Sequence, residues 1–223
     1  MGNFPYSIVG FDLDGTLCDT AWDLGVALNR TLELAGRPTF GLDEVRRFIG
    51  GGTGQMLRGA LDATGGYDPA DVPAMQAQLF GFYEEAIAVH SRLYPGGAEM
   101  LDALAARGVT IAVATNKRED FAVKLLGELG LSARFATVIG GDTLGPGKAK
   151  PAPDMLLEMV RRCGGGRAAF VGDTTFDIGA ARAAALPVVA VSFGFNDRPV
   201  HDLGADAVIN HFDELVPTLE RIG

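Results

Sequence analysis

The chain has 223 residues, is 48% hydrophobic and 21% charged, and carries a formal net charge of −9. That length buries one sizeable core or two smaller ones, and the composition is that of a soluble globular protein. Nucleic acid and anionic membrane surfaces are excluded as expected partners by the charge, a bilayer span by the lack of a long apolar run, and a secretory leader by the absence of a basic start followed by an apolar core.

The first element is an apolar stretch, Tyr6-Ser7-Ile8-Val9-Gly10, running into Phe11-Asp12-Leu13-Asp14-Gly15-Thr16-Leu17-Cys18. It reads as a buried strand that gives way to a turn carrying two carboxylates one residue apart. Such a pair can bind a hard cation while one member attacks an electrophile, a combination suited to phosphoryl transfer with Mg²⁺.

From about residue 19 to residue 90 the pattern is helical. Leu24, Ala27, Leu28, Leu32 and Ala35 form one stripe, and Leu79, Phe82, Tyr83, Ala86 and Ile87 another. Gly36-Arg37-Pro38 and Gly65-Gly66-Tyr67-Asp68-Pro69 are breaks. Gly50-Gly51-Gly52-Thr53-Gly54 looks superficially like a dinucleotide loop but follows no convincing strand. Residues 18–90 are therefore predicted to form a helical cap inserted after the first strand, with residues 1–17 and 91–223 forming the core.

Beyond Tyr94-Pro95-Gly96-Gly97, strands and helices alternate. Val109 to Ala114, Ala168 to Val171 and Val188 to Val191 read as buried strands, with Thr137 to Ile139 and Ala207 to Ile209 as shorter ones. Helical stripes run over Leu101, Leu104 and Ala105, ending at Gly108, and over Phe121, Ala122, Leu125, Leu126 and Leu129, ending at Gly130. A third covers Met155, Leu156, Met159, Val160 and Cys163. The predicted fold class is α/β, a doubly wound parallel sheet with a Rossmann-like core.

In open α/β sheets the ligand site lies beyond the carboxyl ends of the strands. Four predicted strand ends carry polar sets: Asp12 with Asp14; Thr115-Asn116-Lys117; Lys148-Ala149-Lys150-Pro151-Ala152-Pro153; and Gly172-Asp173-Thr174-Thr175-Phe176-Asp177. Taken singly, an Asp cap, a Thr or Asn cap and a solvated loop lysine account for these groups. Their occurrence together, in order, is what points to chemistry. An acidic protein handling an anion also needs local positive potential, from a cation, lysines or helix N-termini.

The ordered pattern D-x-D-G-T, a strand-end Thr, a Lys before Pro and G-D-x-x-x-D resembles the haloacid dehalogenase-like hydrolases, over nearly the whole chain. Phe11 to Leu17, Gly50-Gly51-Gly52, Ala114-Thr115-Asn116-Lys117, Lys150-Pro151-Ala152-Pro153 and Val191-Ser192-Phe193-Gly194-Phe195-Asn196 resemble the phosphoglycolate phosphatase-like subgroup most closely. The resemblance implies an Mg²⁺-dependent phosphatase acting on a small phosphorylated metabolite, 2-phosphoglycolate, through an aspartyl phosphate. Asp12 is then the nucleophile and Asp14 the general acid and base. Thr115, Asn116 and Lys150 hold the phosphate, and Lys150 also stabilises Asp12. Asp12, Asp173 and the backbone carbonyl of Asp14 hold the metal, while Asp177 orients Lys150 or a metal-bound water. Gly51, Gly52, Thr53 and Arg58 are the cap residues facing substrate, with Arg58 set for its carboxylate.

Other readings on the same scaffold are a phosphohydrolase acting on a sugar phosphate, nucleotide or pyrophosphate, and a β-phosphoglucomutase-like phosphotransferase. A haloacid dehalogenase needs neither Asp14 nor Mg²⁺, and a phosphate-sensing protein needs no nucleophile paired with an acid. The expected assembly is a monomer or homodimer. Cys18 and Cys163 form no disulfide framework and suit the cytoplasm. Cys18 reads as a small buried thiol, Trp22 as packed in core or cap, Glu84-Glu85 and Asp213-Glu214 as solvated faces, and His90, His201 and His211 as unrelated to metal.

Overall fold

The computed structural model describes residues 4–223. In chain order come β1 (Ile8–Phe11), β2 (Cys18–Asp19), α1 (Ala21–Leu34), α2 (Leu42–Arg46), α3 (Thr53–Ala63), α4 (Val72–Glu85) and β3 (Arg92–Leu93). There follow α5 (Gly97–Ala105), β4 (Thr110–Ala114), α6 (Glu119–Glu128), β5 (Val138–Ile139), α7 (Asp154–Arg162), β6 (Ala168–Gly172), α8 (Thr175–Ala183), β7 (Val188–Val191), β8 (Ala207–Ile209) and α9 (Leu215–Ile222).

The main sheet has the order β5-β4-β1-β6-β7-β8, and every neighbouring pair is parallel. Its strands are apolar on both sides because both faces are covered. Val9, Phe11, Ile111, Val113 and Val171 pack toward α5, α6 and α9, whose Leu101, Leu125 and Leu219 belong to the same cluster. The alternate residues Ile8, Ala112 and Phe170 pack toward α7 and α8 through Met155, Met159 and Ile178. The period of two along each strand thus sorts side chains into two layers.

Strand β1 lies at the centre, with β4 on one side and β6 on the other. The chain builds outward through β4 and β5, then crosses to β6, β7 and β8. The order reverses beside β1, which opens a crevice at the carboxyl ends of β1, β4 and β6.

Helices α1 to α4 lie between β2 and β3, a two-residue antiparallel ladder with Cys18 opposite Leu93 and Asp19 opposite Arg92. Helix α1 packs along α4. Cys18 is buried, but Trp22 is 51% exposed and packs against His90 in a tilted arrangement with ring centroids 5.2 Å apart. The core-facing stripe of α1 is Leu24, Ala27, Leu28 and Leu32, and Trp22 falls outside it, which is why it does not pack as its size suggests. Glu84, Glu85, Asp213 and Glu214 are exposed.

Candidate active site

The turn after β1 is pinned by the Cys18 N–H donating to Leu13 O and the Gly15 N–H donating to Cys18 O, both at 2.9 Å. Gly15 has φ +82°, and a Cβ there would lie 2.3 Å from Asp173 Oδ2. Only glycine permits both the left-handed turn and this approach of β1's loop to β6's.

Asp12 and Asp14 face different cations. Lys150, from the loop between β5 and α7, places Nζ 2.8 Å from Asp12 Oδ1 and 2.6 Å from Asp177 Oδ1. Lys117, just past β4, places Nζ 2.9 and 2.8 Å from the two oxygens of Asp14. The Thr20 hydroxyl also donates to Asp14 Oδ1, at 2.7 Å. All these side chains are buried.

Asp173 directly follows β6 and is fully buried. Its Oδ1 accepts from the Thr16 hydroxyl at 2.8 Å and its Oδ2 from the Phe195 N–H at 2.7 Å. Asn196 donates to Asp173 O at 2.7 Å, so the Phe193–Asn196 segment supports the Asp173 loop. Asp177 sits at the third position of α8 and accepts from the Thr174 N–H at 2.9 Å and hydroxyl at 2.7 Å. This helix-capping arrangement fixes Asp177 and leaves its other oxygen to Lys150.

Carboxylate oxygens of Asp12, Asp173 and Asp177 all lie within 4.8 Å of one another. Burial raises the Asp12 carboxyl, Lys150 opposes and Asp177 reinforces, with the net effect of pushing it up to about 6. Asp173 is raised well above the usual carboxylate range by burial, then by Asp177 and Asp12. Burial pulls the Lys150 ammonium down, but Asp12 and Asp177 outweigh it and raise its pKa. Three carboxylates against one ammonium leave surplus negative charge, and an all-oxygen donor set of this kind fits a hard divalent cation such as Mg²⁺. Asp12, Asp173 and Asp177 are the carboxylates grouped closely enough to hold such an ion. The Asp14 side chain lies with Lys117 and Thr20 and is not part of this cluster.

Thr115 is buried and lines the same cavity as Asp12, Asp14 and Lys117. Its own N–H is engaged by Ile139 O at 2.9 Å. The Asn116 side chain is engaged too: its amide nitrogen donates to Gly50 O and Lys150 O at 3.1 Å, and its oxygen accepts from the Lys150 N–H at 2.9 Å. Asn116 thus ties the cap loop to the lysine loop. Gly50, Gly52, Thr53 and Met56, from the start of α3 and the loop before it, line the other side of the cavity, which has a volume of about 20 Å³. Gly51, Gly52, Thr53 and Arg58 border a wider groove of about 430 Å³, lined on its other side by Asn116, Asp142, Lys150 and Phe176. Arg58 is exposed there and lies outside the closed cavity.

A model of the haloacid dehalogenase-like hydrolases matches residues 6–185, which include Asp12, Asp14, Thr115, Lys117, Lys150, Asp173 and Asp177. The chain belongs to that family. The hydrolase is similar to the phosphoglycolate phosphatase of Agrobacterium fabrum (strain C58), with 41% identity over 212 residues covering 94% of this chain and 90% of the relative. It is similar also to that of Rhodospirillum rubrum, with 42% identity over 218 residues covering 95% and 89%. Among solved structures, that of a predicted phosphoglycolate phosphatase from Haemophilus somnus 129PT superposes with a TM-score of 0.90 at 29% identity, covering 97% of the hydrolase and 99% of that chain.

Sequence reasoning assigned no role to Lys117, Thr20, Thr16 or Phe195. Thr16 and Lys117 lie within quoted motifs, and Thr20 lies just past the first of them. Phe195 acts through its backbone N–H, which no side-chain pattern reveals.

Proposed function

We propose that this hydrolase is an Mg²⁺-dependent phosphatase that cleaves a small phosphate monoester, 2-phosphoglycolate, in the cytoplasm. Family membership supports phosphate-ester hydrolysis, and the two phosphoglycolate phosphatases that cover about nine-tenths of each chain support the substrate. The observation that carries the chemistry is the division of cations: Lys150 attends Asp12 while Lys117 attends Asp14. Two carboxylates one residue apart are thereby set up for different tasks.

Asp12 attacks phosphorus and forms an aspartyl phosphate. Asp14 protonates the leaving alkoxide as its bond to phosphorus breaks, then takes a proton from the water that attacks the same phosphorus. Inorganic phosphate leaves and the Asp12 carboxylate is restored. Lys150 balances charge on Asp12 and the phosphoryl oxygens, and the Thr115 hydroxyl holds one of those oxygens. Asp12, Asp173 and the Asp14 carbonyl would hold Mg²⁺, which when bound would supply charge neutralisation and orientation. Asp177 acts by orienting Lys150.

The closed cavity of about 20 Å³ has room for about one water and none for a phosphate ester. Substrate therefore enters when residues 18–90 swing away from the core, and their return excludes bulk water during phosphoryl transfer. Arg58, which has no ion-pair partner among the described residues, is the cap cation for the substrate carboxylate.

Phosphate release from a panel of 2-phosphoglycolate, sugar phosphates, nucleotides and pyrophosphate, with Mg²⁺ and with chelator, tests this function. The highest kcat/KM is expected for 2-phosphoglycolate, with loss of turnover in chelator. A kcat/KM for 2-phosphoglycolate no better than for the rest contradicts the substrate, and phosphoryl return to a sugar contradicts hydrolysis.

A further inference from the structure

Lys117 is the largest charged side chain in the fully buried set, with 2% of its surface exposed. Burial disfavours its ammonium, Asp14 outweighs that cost with help from Tyr83, and the pKa ends above the ordinary lysine value. A buried ammonium without a function is costly to keep, and an apolar pair of equal volume stabilises a fold at least as well. The three groups come from separate elements: Asp14 from the loop after β1, Lys117 from the loop after β4, and Tyr83 from α4 in the cap.

We propose that Lys117, roofed by Tyr83, is a positioning residue that aims the Asp14 carboxyl at the leaving oxygen of the substrate. The inference rests on the reading of Asp14 as the acid and base. A carboxylate offers about four lone-pair directions on its two oxygens. Lys117 occupies one direction on each oxygen, and the Thr20 hydroxyl occupies a second on Oδ1. The remaining direction, on Oδ2, is the one left for exchanging a proton with a substrate or water. Bidentate contact also fixes the plane of the carboxyl, which one hydroxyl alone does not.

Tyr83 completes the arrangement. Its side chain is fully buried, and Lys117 Nζ lies 4.6 Å from the ring centroid, a cation–π contact. Phe121 from α6 packs edge-on against Tyr83 with centroids 5.5 Å apart. The aromatic roof keeps water from competing with Asp14 for the ammonium. Lys117 itself touches no atom that reacts, and its effect passes through Asp14.

The test compares two classes of ester by kcat/KM, which reports steps through the departure of the leaving group. An alkyl phosphate needs a positioned acid, whereas p-nitrophenyl phosphate expels a stable anion and does not. Lys117→Met is expected to lower kcat/KM for the best alkyl phosphate of the panel by about 100-fold and for p-nitrophenyl phosphate by less than about 3-fold. In an Asp14→Asn background the same substitution is expected to cost the alkyl ester nothing further, because positioning has no acid left to act on. Equal losses on both esters, or additive losses in the double variant, would overturn the inference. Lys117→Gln, which keeps a neutral donor, is measured in the same cycle should Lys117→Met not fold. Asp14→Asn alone separates the two readings. If it leaves the alkyl-to-aryl ratio unchanged, the acid/base assignment fails. If it lowers that ratio and the Lys117 variants do not, the positioning role fails by itself.

Discussion

Lys150 Nζ lies 2.8 Å from Asp12 Oδ1, and the same nitrogen lies 2.6 Å from Asp177 Oδ1. One ammonium thus bridges Asp12, the proposed nucleophile, to a carboxylate locked at the N-terminus of α8. Lys150→Met is expected to lower kcat by at least about 100-fold, the scale for losing one preorganised charge at a reacting centre. Steady-state kinetics with thermal unfolding checks this, and a loss under about 3-fold would show that Lys150 is only a structural counter-ion.

The acidic cluster predicts how metal and pH act together. With its folded pKa pushed up to about 6 from 3.8, Asp12 holds its proton more tightly in the folded protein than in the unfolded chain. Its contribution to stability is therefore present below 3.8 and lost as pH rises through about 6, and the raised Asp173 acts in the same direction. Metal binding displaces these protons, so the rise in Tm caused by Mg²⁺ should be larger at about pH 7.5 than at about pH 5. Thermal unfolding with Mg²⁺ and with chelator at both pH values measures it. An increment independent of pH would contradict the placement of the ion on Asp12 and Asp173.

Gly52 has φ +84° and ψ 163°, and a Cβ there would lie 2.9 Å from Asn116 O. Gly52→Ala introduces strain of about 1–3 kcal/mol in the closed arrangement, and it presses the cap loop off the core. The expected result is a fall in kcat/KM of about 10-fold or more, from the same strain energy. An unchanged kcat/KM would mean that this seam does not form in the reactive state.

Arg58 borders the groove, while its neighbour Arg118 is already paired with Asp120 at 2.5 Å. Arg58→Ala should raise KM for 2-phosphoglycolate by about 10-fold with little change in kcat, the pattern of uniform binding loss. p-Nitrophenyl phosphate, which has no carboxylate, should be nearly unaffected. Equal effects on both substrates would remove Arg58 from carboxylate recognition.

Much of the fold was legible because buried parallel strands leave a plain signature. Val188 to Val191 and Ala207 to Ile209 are strands at the residues expected, and Gly108 and Gly130 adopt φ +74° and +70° just beyond their helices. The ladder of β2 and β3 was not legible, since two residues carry no period. Family motifs marked Asp12, Asp14, Lys150 and Asp173, because each follows a strand end or precedes a proline. Asn116 was expected to hold phosphate, yet its side chain joins Gly50 to Lys150, a bond between residues 66 and 34 positions away. Lys117 is legible only as the last member of the strand-end set Thr115-Asn116-Lys117, since its partner Asp14 lies 103 residues off and only the parallel pairing of β1 with β4 brings them together. Trp22 misled through its size, for the helical phase of α1 decides its exposure.

The account stands on Asp12 as the group that attacks phosphorus, and turnover by Asp12→Asn tests that most directly. The substitution keeps shape and removes the nucleophile. Hydrolysis of 2-phosphoglycolate by folded, sequence-verified Asp12→Asn is expected to fall by at least about 10⁴-fold, the upper range for a group acting directly in the chemical step. Hydrolysis near the wild-type rate would mean that phosphorus is attacked by something other than Asp12.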